Sequence, residues 1–304
     1  MLDTSVTHLC YYDGQWTPGP VPLMTSATNA AWLANACFDG ARAFEGVAPD
    51  LDLHCERIIR SGVGLNMKPP KTAREIFDLA WAGIRMFPEG TPLYIRPMFW
   101  IEEGLIAINS DSTRFALVLE KMPLPDPAKG FSASLSPYRR PGPEQAPTHA
   151  KASCLYPLAM LAVTEAKKRG FDNAAMCDPL GNLAEFTAQN VMLVKGGDVH
   201  TPVPNGTFLN GITRQRVIAL LRADGVTVHE RTIKPAELEE ADEIFSTGNH
   251  GKVIACTRYE QRTLEIGPIA SRARALYWKF AHSGAAGGPG VLAGQAGAPA
   301  VSRA

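Results

Sequence analysis

The feature that most constrains the fold is a proline-rich segment near the middle of the chain. Residues 121–149 contain seven prolines, and proline neither continues a helix nor fits the middle of a sheet. On both sides of this break, strand-like runs alternate with helix-like runs. The sequence therefore predicts a mixed α/β protein of two domains with a ligand-binding cleft between them. We expect an N-terminal domain at 1–121, an interdomain linker at 122–133, a C-terminal domain at 134–282 and a disordered Gly/Ala-rich tail at 283–304.

Composition excludes several classes of function. The 304 residues include 30 Lys and Arg against 30 Asp and Glu, a balance that argues against a nucleic-acid binder or a polybasic membrane binder. No apolar run reaches the ~18 residues of a membrane-spanning helix, and no secretory signal is visible, so we expect a cytoplasmic protein. The six cysteines show no C-x-x-C spacing, which predicts buried, reduced thiols and no metal site.

Local signals place the main elements. Asp13-Gly14 between apolar runs predicts a β-hairpin, and Thr72 with Glu75 predicts a capping box at a helix start. Periodicity and turn residues then divide most of the chain. We predict helices over 52–66, 73–87, 152–169, 213–225, 235–241 and 268–282, and strands over 93–101, 115–121, 131–136, 173–177, 183–195, 226–231 and 243–249.

Two residues are candidates for covalent and acid–base chemistry. Lys151 stands in an uncharged stretch of small residues where a helix begins. Desolvation there would disfavour its ammonium form, as a Schiff-base lysine requires, whereas a lysine reaching solvent from the helix start is the alternative. Glu185 lies in a mostly apolar predicted strand, where a carboxylate needs a cationic partner such as a protonated pyridine nitrogen. The alternative for Glu185 is an edge-strand position that faces water.

Two turns and one strand are candidates for anion binding. Residues 210–213 open a helix whose free N–H groups suit a phosphate, although an ordinary N-cap has the same pattern. Residues 246–249 end a strand and could add donors as a backbone nest, or form a simple turn. Arg96 alternates with Tyr94 and Trp100 on one strand face, which favours a carboxylate clamp or a half-exposed surface arginine.

In this order the motifs resemble the class IV, or fold-type IV, pyridoxal-phosphate aminotransferases, which include the branched-chain and D-amino-acid aminotransferases. The resemblance covers most of the chain and is carried by FDGARAFEG, HCERI, YIRP, Lys151 with Tyr156, NLAEFTAQN, LNGITR and DEIFSTGN. It implies a two-domain fold with pyridoxal 5'-phosphate in the interdomain cleft. It also implies transamination between an amino donor and a 2-oxo acid acceptor.

The resemblance further implies a role for individual residues. Lys151 corresponds to the catalytic lysine that forms a Schiff base with the cofactor, and Glu185 to the partner of the pyridine nitrogen. Tyr156 corresponds to the tyrosine beside the phenolic oxygen, and Leu209 to the residue that packs on the ring. The other residues that would bind the cofactor are Arg57, Gly211, Ile212, Thr213, Thr247 and Asn249. Those that would bind the substrate are Phe38, Arg42, Tyr94, Arg96, Asn249 and His250.

Two positions depart from the branched-chain pattern. Asn249-His250 stand where these enzymes often carry Thr-Ala, and Leu33 stands where they carry a tyrosine. In the family, the Thr-Ala positions usually help bind the phosphate and the substrate α-carboxylate, and the tyrosine belongs to the substrate pocket. Both departures bear on which substrate the protein takes, and neither touches the cofactor chemistry. The preferred hypothesis is transamination of a branched-chain or aliphatic L-amino acid with an acceptor such as 2-oxoglutarate.

Other functions remain open on the same residues. An (R)-selective amine transaminase, a D-amino-acid aminotransferase or an aminodeoxychorismate lyase would use the same fold. A non-catalytic protein that binds the cofactor or a metabolite is a different class, against which the retained lysine and glutamate speak. A dinucleotide-binding protein is disfavoured because no G-x-G-x-x-G follows a strand. The resemblance also implies a homodimer with small-molecule substrates and no nucleic-acid or membrane partner.

Overall fold

The computed structural model describes residues 2–284. They form two compact units. The first contains residues 2–124, 150–154 and 281–284, and the second contains residues 125–149 and 155–280. All but the first two residues of the predicted tail lie outside the described residues, and the predicted domain limits stay a prediction.

The first unit is built on an antiparallel sheet of six strands. Its strands are β1 His8–Tyr12, β2 Gln15–Pro18, β3 Ala36–Phe38, β4 Ala41–Ala43, β5 Leu93–Ile101 and β6 Thr113–Lys121. Their order is β2-β1-β6-β5-β3, and β4 also pairs with β5. The predicted hairpin joins β1 to β2, and its turn residues Asp13 and Gly14 have φ of 51° and 84°. Positive φ at both positions is what a tight hairpin turn of matching twist requires.

Three helices accompany this sheet. They are α1 Asn29–Leu33, α2 Leu51–Gly64 and α3 Ala73–Ile84. The predicted capping box is present, because the Thr72 hydroxyl accepts from the Glu75 N–H and the Glu75 carboxylate accepts from the Thr72 N–H. The helix ends at Ile84 rather than at 87, because the N–H groups of Met86 and Phe87 donate to the carbonyls of Gly83 and Ile84 three residues back, which replaces the α-helical pattern by a tighter turn. Apolar faces of α2 and α3 pack on β5 and β6 in one core, which includes Ile58, Phe77, Phe99 and Leu117.

The second unit is built on a mixed sheet of nine strands. They are β7 Phe131–Arg139, β8 Asn173–Cys177, β9 Leu183–Phe186, β10 Asn190–Lys195, β11 Asp198–Pro202, β12 Val228–Arg231, β13 Glu243–Gly248, β14 Lys252–Tyr259 and β15 Arg262–Thr263. The order is β12-β11-β10-β13-β14-β7-β8-β9, with β15 on β14. Its helices are α4 Tyr156–Lys168, α5 Ile212–Ala223, α6 Glu237–Glu240 and α7 Pro268–Ala281. Among residues 2–284, no helix combines the length and the apolar composition that crossing a bilayer demands.

Two predicted elements of this unit need correction. The strand predicted over 183–195 is two strands, because the Thr187 hydroxyl donates to Asn173 Oδ1 at 2.6 Å and a turn closes from Phe186 N–H to the Gln189 carbonyl. These bonds draw the intervening residues out of the sheet. The helix predicted over 152–169 begins as a 3-10 turn, Ser153–Leu155, before α4. Both differences depend on contacts that local periodicity does not report.

The cysteines are reduced, and five of the six are buried. Burial raises the pKa of the Cys37 and Cys256 thiols to about 12. Cys154 is exposed on the 3-10 turn before α4, so the prediction of a buried thiol is wrong for that residue. The remaining buried cysteines are Cys10, Cys55 and Cys177.

Candidate active site

Lys151 lies in the loop that leads into the helical turn before α4, as the sequence predicted. Its backbone N–H donates to Ser61 Oγ at 3.1 Å, and its carbonyl accepts from the Phe38 N–H at 3.2 Å. The next residue, Ala152, forms an antiparallel bridge with Cys37. The lysine backbone is therefore fixed from α2 and β3. The side chain is half-buried, and Nζ lies 4.8 Å from the centre of the Phe38 ring, which holds the amine against an aromatic face.

Arg57 is held by a buried carboxylate. Its Nε and Nη2 donate to the two oxygens of Asp39 at 2.7 and 2.8 Å, and His54 Nδ1 lies 2.7 Å from Asp39 Oδ1. Burial acts to raise the pKa of Asp39, but the charges and hydrogen bonds of Arg57 and His54 outweigh it and hold that pKa far below its usual range. The sequence analysis missed Asp39 and His54, although both stand inside the quoted motifs.

Arg42 is fully buried, but its guanidinium is only partly satisfied. Nη2 donates to the Met122 carbonyl at 2.6 Å, whereas Nε and Nη1 have no hydrogen-bond partner among the described residues. Burial lowers the pKa of Arg42 to about 10. Tyr94 is the register partner of Arg42 across β4 and β5, and any side chain at Gly40 would clash with its hydroxyl. A buried cation with unused donors is suited to an anionic oxygen.

Arg96, the predicted carboxylate clamp, differs from Arg42 because it is partly exposed and lies near an acidic residue. Its side chain is 34% exposed, and Nη1 lies 3.9 Å from Glu120 Oε2. Its guanidinium carbon lies 5.9 Å from the centre of the Tyr94 ring. Because Glu120 already offsets part of its charge, Arg42 is the stronger candidate of the two for a substrate carboxylate.

In the second unit, predicted cofactor-binding residues meet around Asn190. Its Nδ2 donates to the Leu209 carbonyl at 3.0 Å and to Glu185 Oε2 at 3.4 Å. Its Oδ1 occupies the space that a side chain at Gly211 would need. Thr247 is its register partner across β10 and β13. The sequence analysis missed Asn190, although a polar residue at the start of the apolar run NVMLV was a usable signal.

Glu185 is a buried carboxylate with a cationic neighbour. It is 7% exposed, so it does not face water even though β9 ends the strand order of its sheet. Arg140 Nε lies 3.3 Å from Glu185 Oε1 and also donates to the Thr207 carbonyl at 3.1 Å. The alternative of a carboxylate that faces water is therefore wrong. Arg140 was not predicted, because only the tertiary fold brings it beside β9.

The start of α5 has the character of an anion site. The helix follows Gly211, and no side chain caps it, so the first N–H groups of the helix are available to a ligand. Ile212 and Thr213 are buried. In β13, Thr247 Oγ1 is buried and has no hydrogen-bond partner in the part of the chain that the structure describes. A phosphate would supply the acceptors that these donors need, so the residues fit the phosphate of the predicted cofactor.

The remaining predicted residues lie in two places. Tyr156 is half-buried and begins α4. Asn249 and His250 stand in the loop between β13 and β14, where Asn249 Oδ1 accepts from Lys252 Nζ at 2.7 Å. His250 is exposed. The first unit thus places Phe38, Arg42, Arg57, Tyr94, Arg96 and Lys151, and the second places Tyr156, Glu185, Leu209, Gly211, Ile212, Thr213, Thr247, Asn249 and His250.

Comparison with known proteins identifies the family. The model of amino-transferase class IV matches residues 36–259. A probable branched-chain-amino-acid aminotransferase of Rickettsia bellii is 30% identical over 82% of this chain and 86% of its own length. An aminotransferase of Brucella abortus, solved with pyridoxal phosphate, is 50% identical with a TM-score of 0.89, over 91% of this chain and 99% of that one.

A branched-chain aminotransferase of Thermoproteus uzoniensis, solved with norvaline, is similar at 26% identity and a TM-score of 0.83, over 90% of this chain and 95% of that one. The match to the family model spans most of the chain, and it includes the blocks around Arg57, Lys151 and Glu185. The predictions of family, fold and cofactor are confirmed. The chain belongs to the class IV aminotransferases, the pyridoxal-phosphate enzymes of fold type IV.

Proposed function

We propose that this aminotransferase moves the amino group of a branched-chain or aliphatic L-amino acid to a 2-oxo acid such as 2-oxoglutarate. The names of its relatives in Rickettsia bellii and Thermoproteus uzoniensis support the donor class. The observation that carries the proposal is the buried Arg42 guanidinium, whose Nε and Nη1 lack partners among residues 2–284. An amino acid brings a carboxylate that these donors can bind, whereas a simple amine brings none.

The residues of the second unit are suited to hold pyridoxal phosphate. The uncapped start of α5 and the Thr247 hydroxyl would bind its phosphate, and the resemblance also assigns Arg57 to the phosphate. Glu185 would accept a hydrogen bond from the ring nitrogen, and Leu209 would pack on the ring. When bound, pyridoxal phosphate supplies an electrophilic carbonyl carbon and an electron-withdrawing ring.

Lys151 Nζ is the group that moves protons in this proposal. Its neutral amine would hold the cofactor as nucleophile, and Nζ would accept the α-proton of the amino acid as general base. The Phe38 ring beside Nζ limits hydration of the amine. The Arg140 guanidinium near Glu185 favours the ionised carboxylate, which can then hold a proton on the ring nitrogen. Asn190 keeps that carboxylate in place through Nδ2.

A donor panel tests the proposal. The protein loaded with pyridoxal phosphate is mixed with L-leucine, D-alanine or (R)-1-phenylethylamine, and keto-product formation is followed with 2-oxoglutarate as acceptor. We expect turnover with L-leucine and loss of both turnover and imine absorbance in Lys151→Ala. Turnover of Lys151→Ala at the wild-type rate would refute the role of the lysine.

The Arg42→Met variant separates the amino-acid hypothesis from the amine hypothesis. It keeps the side-chain volume and removes the unused donors, so KM for L-leucine should rise by about tenfold or more. An Arg96→Met variant is the matched control, because Arg96 is partly paired with Glu120. If (R)-1-phenylethylamine is the best donor and Arg42→Met leaves its KM unchanged, the protein is an amine transaminase instead.

We also propose that the protein is a homodimer. Leu105 and Ile106 are 68% and 101% exposed in the loop between β5 and β6, and Trp32 of α1 is 57% exposed. Asn29 Nδ2 donates to the Gly104 carbonyl of this loop at 2.7 Å. This hydrogen bond fixes the backbone next to the exposed apolar side chains of Leu105 and Ile106. Large exposed apolar groups of this kind favour a protein contact. Light scattering should give a dimer mass, and Ile106→Asp should lower it to that of a monomer.

A further inference from the structure

A buried lysine that the proposed mechanism does not use begins β14, directly after the loop that joins β13 to β14. Gly248 pairs with Lys252, so the loop is Asn249-His250-Gly251. Lys252 is 1% exposed and has a φ of 64°, a left-handed conformation that lysine rarely adopts. A backbone of this kind persists only where its surroundings fix it, and such positions cluster at ligand-binding sites.

Helix α7 contacts both the loop and Lys252. Lys252 Nζ lies 5.6 Å from the centre of the ring of Tyr277, which is fully buried. Arg274, one turn earlier on the same helix, donates to the Gly251 carbonyl at 3.1 Å. The Lys252 ammonium donates to Asn249 Oδ1 at 2.7 Å. The position of the ammonium is therefore set by packed neighbours on α7 and by the loop itself.

The ammonium decides which way the Asn249 amide points. An ammonium has donors and no acceptor, so only the oxygen of the amide can face it. Nδ2 must then point away from Lys252. This nitrogen is buried, and no acceptor within residues 2–284 reaches it. Two residues earlier, near the end of β13, Thr247 Oγ1 is also buried and has no hydrogen-bond partner among the described residues. The end of β13 and the loop after it therefore present donors that the acceptor atoms of a ligand can satisfy.

We propose that Lys252 is a positioning residue, whose ammonium keeps the Asn249 amide oriented so that Nδ2 can donate. The resemblance already implies that position 249 binds an oxyanion, either the cofactor phosphate or the substrate carboxylate. The proposal rests on the proposed function, because both oxyanions belong to that reaction. The Lys252 charge behind the amide also strengthens its N–H donors toward an anion. At the position where relatives often carry Thr-Ala, this chain thus uses an asparagine side chain fixed by a lysine.

The test compares Asn249→Asp with the wild type in two binding assays. On the apo protein, inorganic phosphate, pyridoxal phosphate and pyridoxal are titrated. On the loaded protein, 4-methylvalerate and its neutral amide are titrated. Asn249→Asp turns an acceptor oxygen toward the anion, so affinity for one oxyanion should fall by about tenfold or more. Loss with phosphate and pyridoxal phosphate but not pyridoxal identifies the phosphate; loss with 4-methylvalerate but not its amide identifies the carboxylate.

Variants of Lys252 test the positioning role. Lys252→Met should weaken binding of the same oxyanion, and Lys252→Arg should restore it, because arginine also donates to Oδ1. Lys195→Met, which removes an exposed lysine of the same unit, is the matched control and should bind as the wild type does. If Lys252→Met does not fold, Asn249→Asp and Asn249→Ser decide. A folded Lys252→Met or folded Asn249 variants whose affinities for both oxyanions stay within about twofold of the wild type overturn the proposal.

Failure of the proposed function gives a different result. It appears in the wild type itself, as a donor panel in which L-leucine is not turned over. The inorganic-phosphate and pyridoxal-phosphate titrations do not depend on the donor, so they test the Asn249 donor in either case.

Discussion

Removing the buried charge of Asp39 should destabilise the first unit and loosen Arg57. Asp39 is fully buried and accepts from Arg57 Nε and Nη2 and pairs with His54. Removing one partner of a buried ion pair costs about 3–5 kcal/mol. Asparagine keeps the shape and one carbonyl oxygen, so we expect the lower end, about 3 kcal/mol, for Asp39→Asn. For a chain of this size, that corresponds to a fall in Tm of roughly 6 °C or more.

The same substitution should change how stability depends on pH. The pKa of Asp39 is held far below its usual range in the folded protein, whereas the unfolded chain has a value of about 3.9. The unfolded state therefore binds more protons, and stability rises with pH in this window. The contribution is complete above about pH 4 and is lost as the pH falls toward the folded-state pKa. The free-energy difference between Asp39→Asn and the wild type should shrink as the solution is acidified.

Urea unfolding of the wild type and Asp39→Asn at about pH 3, 5 and 7 measures this effect. Affinity for pyridoxal phosphate, measured by titration on the folded variant, should also fall because Arg57 loses its bidentate anchor. Asp13→Asn, in the exposed hairpin turn, is the matched control and should leave both quantities unchanged. A stability loss below about 1 kcal/mol at pH 7, or an equal loss at every pH, would refute the reasoning.

Three further results are expected. Glu185→Gln should still bind pyridoxal phosphate but should slow single-turnover α-proton removal by about 10²-fold or more, because it cannot keep the ring nitrogen protonated; an unchanged rate contradicts its role. Gly211→Ala should displace Asn190 Oδ1 and destabilise the protein by about 1–3 kcal/mol in urea unfolding, with weaker cofactor binding; wild-type values of both would show that the loop accommodates a side chain. Phe77→Ala should cost about 3–5 kcal/mol of unfolding free energy while leaving KM for the amino acid unchanged, which steady-state assays of the folded variant can check.

The sequence predicted those parts of the fold that short-range physics determines. Burial alternates along β5 as the pattern required, with Leu93 and Ile95 buried and Tyr94 and Arg96 half-buried. Near the end of the strand the alternation fails, because Trp100 is fully buried in a second apolar cluster on the opposite face. The three-residue strands β3 and β4 escaped prediction, since their pairing with β5 defines them rather than their own composition.

In the candidate active site, too, the sequence predicted some residues and missed those that depend on tertiary contacts. Lys151 and Glu185 were predicted from motifs, because their chemistry limits the residue types that can replace them. The groups that hold predicted residues in place were not predicted: Asp39, in the loop after β3, holds Arg57 of α2, and Arg140, just after β7, lies beside Glu185 of β9. Such partners become visible only when the chain is folded, because residues far apart in the sequence meet there.

The exposed Cys154 gives the experimenter a native handle for a spectroscopic probe. The other five thiols are buried, so a maleimide dye or a spin label should attach at one position without any engineered mutation. That position is three residues after Lys151 and in the same compact unit. The emission of a dye or the mobility of a spin label at this position would report on the backbone around Lys151 during substrate binding and release.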